Sequence, residues 1–210
     1  GTEWVLGWGH SITAMLEHIN SGGRPPREIL DEALPNTPAI MMEETSHSVW
    51  VNSEALRRAG IDASTPDVPG GIYMRDTNGE PNGILLENAG NAILEYAFDP
   101  EKYPALFDLA YDGLLYSLKE MAKNGITSAC DARVYWSRDH DKVWDRALTS
   151  GTLTARMVLG LWAYPQLDDD SQAQYLKSMY NNDPNSLLRK SQIKVYSDGL
   201  IDATTAAVFE

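Results

Sequence analysis

The chain has 210 residues and is 43% hydrophobic, enough for a substantial packed core. Seventeen basic against thirty acidic residues leave a net charge of −13, which argues against nucleic-acid binding and against docking on anionic membranes. One cysteine, Cys130, excludes an intrachain disulfide, and the longest apolar run, MVLGLWAY, is far too short to cross a bilayer.

The opening GTEWVLGWGH has no basic stretch followed by an apolar one, so no signal peptide is visible and the reading leans to the cytoplasm. Both ends carry apolar residues where frayed polar termini are usual, which reads as a segment of a longer chain. Residues 10–20 place Ile12, Leu16 and Ile19 on one helical face. SGGRPP is a loop, and Pro26 suits the first turn of a helix reaching Ala33. PAIMME reads as a buried strand and ETSHS as the loop after it. Ser53 is the expected N-cap of a helix over EALRRA that Gly60 ends. GIYMRDTNGEPNGILLEN reads as a hairpin turning near Asn78-Gly79, with Ile72 and Met74 alternating with Tyr73 and Arg75.

Residues 104–124 carry the clearest helix, with Leu106, Ala110, Leu114, Leu118 and Met121 in one stripe and Asn124-Gly125 as its stop. ITSACDA, ARMVLGLWA and IKVYSDG read as strands. A helix around Val143–Leu148 and another from Asp168 toward Tyr180 separate them. Apolar strands alternating with helices predict a parallel sheet covered by helices. Three such steps fit a barrel or an open sheet alike. The lack of a glycine-rich phosphate loop disfavours an open nucleotide-binding sheet.

Four stretches in order resemble the amidohydrolase superfamily, in the branch of N-substituted formamide deformylase-like enzymes. They are ILDEALPNTPAIMMEETSHSVWVNSEALRRAGI, TPDVPGGIYMRDTNGEPNGILLENA, LKEMAKNGITSACDA and IKVYSDGLIDATTAA. The resemblance implies part of a (β/α)₈ TIM-type barrel. Strands two to four would lie in residues 101–210, and an inserted α+β subdomain, a lid, would fill residues 1–100. It implies hydrolysis of a C–N bond in a small amide or formamide by water activated on a divalent metal, zinc in the first instance. The family's His-x-His pair and its later His and Asp ligands have no counterpart among His10, His18, His47 and His140. The segment alone is therefore expected to bind catalytic metal weakly or not at all, to be inactive, and to self-associate through uncovered sheet edges. A non-catalytic binding or regulatory module of the same origin is the alternative. A metal-free hydrolase built on two carboxylates carries less weight.

Within that resemblance Lys194 is the metal-ligand candidate, as a carboxylated lysine, because a bare ammonium has no lone pair to give. Period-two spacing would put Lys194, Tyr196 and Asp198 on one strand face. Asp198 and His47 are the catalytic candidates, Asp198 competing with a plain turn role before Gly199. Trp50 and Asn52 are substrate-binding candidates, competing with core packing and helix capping respectively. Asp131 is placed at the end of its strand. Glu43 and Glu44 point opposite ways on a strand and form no acid/base pair. His10, His18 and His140 read as surface or loop histidines, and Cys130 as a small core residue.

Overall fold

The computed structural model describes residues 3–201 and 205–208. The chain forms two compact units, one from residues 1–97 joined by the chain from Tyr196 onward, the other from Phe98–Val195.

The first unit opens with β1 (Val5–His10), α1 (Ile12–Asn20), α2 (Pro26–Ala33) and β2 (Ala39–Glu43). It continues with β3 (Ser48–Val51), α3 (Ser53–Ala59), β4 (Gly71–Arg75), β5 (Pro81–Glu87) and α4 (Asn88–Ala97). Its five strands run in the order β1-β2-β3-β5-β4. The first pair is parallel and the others antiparallel. Pro26 opens α2 as expected, and Gly60 ends α3 in the left-handed region at φ 70°. The cap of α3 is Asn52, one residue before the expected Ser53, with its side chain accepting from Ala55 N. The hairpin forms, but Tyr73 is its buried residue and Ile72 is exposed. Pro81 to Leu86 of β5 are all buried, because β5 lies between β3 and β4 with α2 and α4 packed on it. Strands β1 and β3 and helix α4 were not anticipated. Glycines interrupt VLGWGH, and SVWV is only four residues long.

The second unit contains α5 (Ala105–Lys123), β6 (Ser128–Val134), a 3-10 turn (Trp136–Arg138) and α6 (His140–Thr149). Then come β7 (Arg156–Trp162), α7 (Asp169–Met179) and β8 (Leu188–Lys194). The strands are parallel in the order β6-β7-β8, as helix–strand alternation predicts. Leu114 and Leu118 of α5 pack with Leu159, Leu161, Leu176 and Leu188 in one core. The N-cap of α7 is Asp168, accepting from Ser171 N at 2.9 Å.

Two expectations about this sheet are corrected. Cys130 is exposed on the face turned away from that core, 3.1 Å from Gln192 Oε1. Strand β8 covers Leu188–Lys194, several residues earlier than IKVYSDG. Tyr196 and Asp198 therefore lie past the strand, in the first unit, and share no strand face with Lys194. The early start is held by Lys190, buried inside β8, whose ammonium reaches Asp141 at 3.0 Å and Asp145 at 2.7 Å on α6. Burial works to lower the Lys190 pKa, but the two carboxylates outweigh it and raise it. Among the described residues no helix is long and apolar enough to cross a membrane.

Candidate functional site

In the first unit the short loop between β2 and β3 carries His47, and its backbone is anchored twice. The Glu87 N–H donates to His47 O at 2.7 Å, and the His47 N–H donates to Glu43 Oε2 at 3.3 Å. The imidazole is anchored as well, with Nδ1 2.8 Å from Glu87 Oε2. The other oxygen of Glu87 accepts from Thr205 Oγ1 at 2.5 Å. The Tyr196 ring stands perpendicular to the imidazole, 5.9 Å between centroids. Two residues here hold left-handed backbone without being glycine: Ser46 at φ 66° and Glu87 at φ 50°. Such backbone costs energy and persists where surrounding contacts enforce it.

Behind His47 sits Glu43, 1% exposed, whose Oε2 also accepts from Thr45 Oγ1 at 2.6 Å. Its other oxygen is buried and makes no hydrogen bond among the described residues. Glu44 is exposed, so the two adjacent glutamates do face different surroundings. His10 pairs with Glu43 across the parallel strands β1 and β2. The surface reading of His10 is corrected: both ring nitrogens are buried and, among the described residues, neither meets a side-chain hydrogen-bond partner. Burial lowers its pKa, with the Glu43 charge and the Met42 backbone pulling the other way. His18 is the ordinary surface histidine expected, 3.0 Å from Arg24 O.

Trp50 donates from Nε1 to Pro26 O at 2.8 Å and meets the His10 ring edge-on at 6.0 Å. Asn52 is fully buried and spends its whole amide on backbone. Its oxygen accepts from Ala39 N and Ala55 N, and its nitrogen donates to Leu34 O and Thr37 O. It therefore fills the capping role left open for it. Asp198 accepts from Ser197 Oγ at 3.2 Å and from Ala207 N at 3.2 Å. It braces a loop in which Leu200 N donates to Thr205 Oγ1 at 2.9 Å. Gly199 is required there: a Cβ would lie 2.1 Å from Thr205 Oγ1 and 2.6 Å from Glu87 Oε1. The structure thus brings His47 together with Glu43, Glu87, Tyr196 and Thr205. Asp198 shares no hydrogen bond with His47 among the described residues.

In the second unit Lys194 is the last residue of β8, paired with Trp162 of β7 and accepting from Ala163 N at 2.9 Å. That is the strand-end position a barrel ligand occupies. Asp131 is corrected: it lies inside β6, and its Oδ2 accepts from Trp144 Nε1 at 3.2 Å. His140 opens α6, a helix start as expected, but is half-buried rather than solvated. Burial first, then the Arg138 charge, lower its pKa to about 4, against the opposing pull of Asp131 and Asp139.

The described residues do not by themselves fit a catalytic metal: no three His, Cys, Asp or Glu side chains among them are grouped to hold one. Lys194 is at most one ligand of a set.

Comparison with known proteins follows the same lines. The chain is 27% identical over 213 residues to YtcJ of Bacillus subtilis, a protein named as an amidohydrolase; the match covers 99% of this chain and 37% of YtcJ. It is 35% identical over 132 residues to the N-substituted formamide deformylase of Arthrobacter pascens, covering 63% of this chain and 23% of that enzyme. The crystal structure of an uncharacterised metal-dependent hydrolase from Pyrococcus horikoshii superposes with a TM-score of 0.59 at 13% identity. That superposition covers 97% of this chain and 36% of the other. The chain thus spans well under half the length of the relatives it matches. The amidohydrolase family profile matches residues 1–210, and the chain belongs to the amidohydrolase family.

Proposed function

We propose that this chain is a segment of a metal-dependent hydrolase that cleaves a C–N bond in a small amide or formamide. In this reading β6, β7 and β8 are strands two to four of a (β/α)₈ barrel, and residues 1–100 are an inserted α+β subdomain. The observation that carries it is the position of Lys194, at the C-terminal end of the third of three parallel strands. A lysine there, carboxylated by CO₂, becomes an oxygen donor for a divalent ion such as zinc. The ion's role when bound is to activate water.

This chain's own residues then divide the remaining work. His47 contacts substrate, held by Glu87. Trp50 and Asn52 stiffen the wall behind it, and Asp198 braces the loop of Thr205. The deformylase similarity, over part of the chain, supports the formamide branch; YtcJ supports only the family. The isolated segment supplies too few ligands for turnover, and its open strand edges favour self-association.

The test uses the full-length protein. Lys194→Met is expected to lower bound divalent metal, measured by plasma mass spectrometry, and to abolish formamide hydrolysis. Wild-type metal content together with wild-type hydrolysis in that variant would refute the ligand role. Stoichiometric, tightly bound zinc in the 210-residue segment itself would refute its insufficiency.

A further inference from the structure

The surroundings of His47 determine which of its two nitrogens carries the proton. Glu87 is tied to it twice, by backbone at 2.7 Å and by side chain at 2.8 Å. A hydroxyl or an amide in its place could donate as well as accept and would leave the tautomer open. A carboxylate is an acceptor only, so it requires a proton on Nδ1. A neutral imidazole carries one proton, so Nε2 is then left as a lone pair. Thr205 holds the carboxylate from its far side at 2.5 Å. Gly199 leaves room for that contact, since any Cβ there would displace it. The perpendicular Tyr196 ring limits rotation of the imidazole about its own axis. The imidazole side chain is only 17% exposed, as is that of Glu87, so water competes weakly for these bonds.

Among the described residues, two of the three non-glycine residues at positive φ sit at this one place, Ser46 before the histidine and Glu87 beneath it. Ser46 closes the tight turn after β2, its N–H donating to Glu43 O at 2.9 Å, and Glu87 ends β5. The strain is explained if the pair must meet in one orientation.

We propose that Glu87, clamped by Thr205, is the positioning residue that fixes His47 as the Nδ1–H tautomer, so that Nε2 accepts a hydrogen bond from the N–H of a secondary amide substrate. The inference rests on the amide-hydrolase reading for its substrate half and on this chain alone for its tautomer half. It selects a substrate class. N-monosubstituted amides carry the N–H that Nε2 accepts; N,N-disubstituted amides do not, and would leave Nε2 facing carbon. It also gives His47 the part of an acceptor, and excludes donation to a developing oxyanion from the neutral ring.

The tautomer half is tested by nitrogen-15 NMR of histidine-labelled 210-residue chain at about pH 8.5, where an ordinary imidazole is neutral. The His47 signals are expected to show Nδ1 protonated and Nε2 bare. Glu87→Ala is expected to shift them toward the Nε2–H form. Thr205→Val, a milder change that leaves the carboxylate in place, is expected to give a mixture. An Nε2–H form in the wild type overturns the proposal. So does an unchanged tautomer in both variants, and Thr205→Val decides alone if Glu87→Ala does not fold.

The substrate half is tested in the full-length enzyme by the ratio of kcat/KM for an N-monosubstituted formamide to that for its N,N-disubstituted analogue. Glu87→Ala is expected to reduce that ratio about tenfold, the size of one hydrogen bond to a polarised acceptor. An unchanged ratio overturns the substrate half. Absence of any hydrolysis by the wild type overturns the parent reading and leaves the tautomer result standing on its own.

Discussion

At the scale of single residues, two of the three histidines read as surface or loop residues, His10 and His140, have lowered pKa values. His140 starts α6 with its ring against Tyr135, 5.8 Å between centroids, and the Arg138 guanidinium nearby. Its pKa falls from 6.5 to about 4. An unfolded chain takes up a proton there as the pH drops below about 6.5, while the folded chain refuses it until about 4. The second unit is therefore expected to keep the stability linked to His140 above pH 6.5 and to lose it progressively down to pH 4, by about 3 kcal/mol in all. His140→Gln should flatten that slope in urea titrations compared at neutral and acid pH. Identical slopes in the two proteins would show that another group is responsible. His10 acts with the same sign in the first unit. His47 could be singled out from its polar loop, but Glu87 could not. It lies 40 residues away at the end of an apolar strand, and a lone strand-end carboxylate has no local signature.

At the scale of elements, β8 shows where period counting fails. LRKSQIK is nearly all polar, so the eye moves to the apolar IKVYS that follows. Its basic residue at position 190 is acceptable in the strand only because α6 offers Asp141 and Asp145, one helical turn apart. That neutralisation is tertiary, between positions 45 and 49 residues apart, and no window of sequence contains it. Lys190→Ala would leave Asp141, 3% exposed, as an uncompensated buried carboxylate. A loss of about 3–5 kcal/mol is expected in chemical denaturation. Adding Asp141→Asn should restore a large part of it; if the double variant is no more stable than Lys190→Ala, the cost arises from lost packing of the lysine stem. The helices were easier to read because their signals are local: the Pro26 start, the Gly60 stop and the Asp168 cap all act within one turn.

At the scale of the whole molecule, the alternation of helix and strand from residue 105 is legible because the helices α5, α6 and α7 carry local start, stop and periodicity signals, even where the bounds of β8 are not. The five-stranded sheet of the first unit was not, because its short strands pair out of sequence order, with β5 between β3 and β4. Among the described residues β1 and β4 are the outer strands of one sheet and β6 and β8 those of the other, with the β8 edge bridged at Lys190 by Asn181. Ile193 on the β8 edge is 59% exposed and Val195 beyond it is 68% exposed. The 210-residue chain is expected to show concentration-dependent mass in light scattering, and Ile193→Lys to weaken that dependence. A single monomeric mass at all concentrations would count against association through this edge.

The Thr205–Glu87 hydrogen bond spans 118 residues of chain. Contacts of such separation must overcome a large loop-closure entropy and tend to form late. During synthesis at roughly 5–20 residues per second, Glu87 would wait about 6–24 s for its clamp to be made, with the whole second unit translated in between. The first unit can assemble its sheet in that interval, but the orientation of His47 is completed only when the chain returns. A nascent chain that has not yet reached Thr205 would thus hold the histidine without its final alignment.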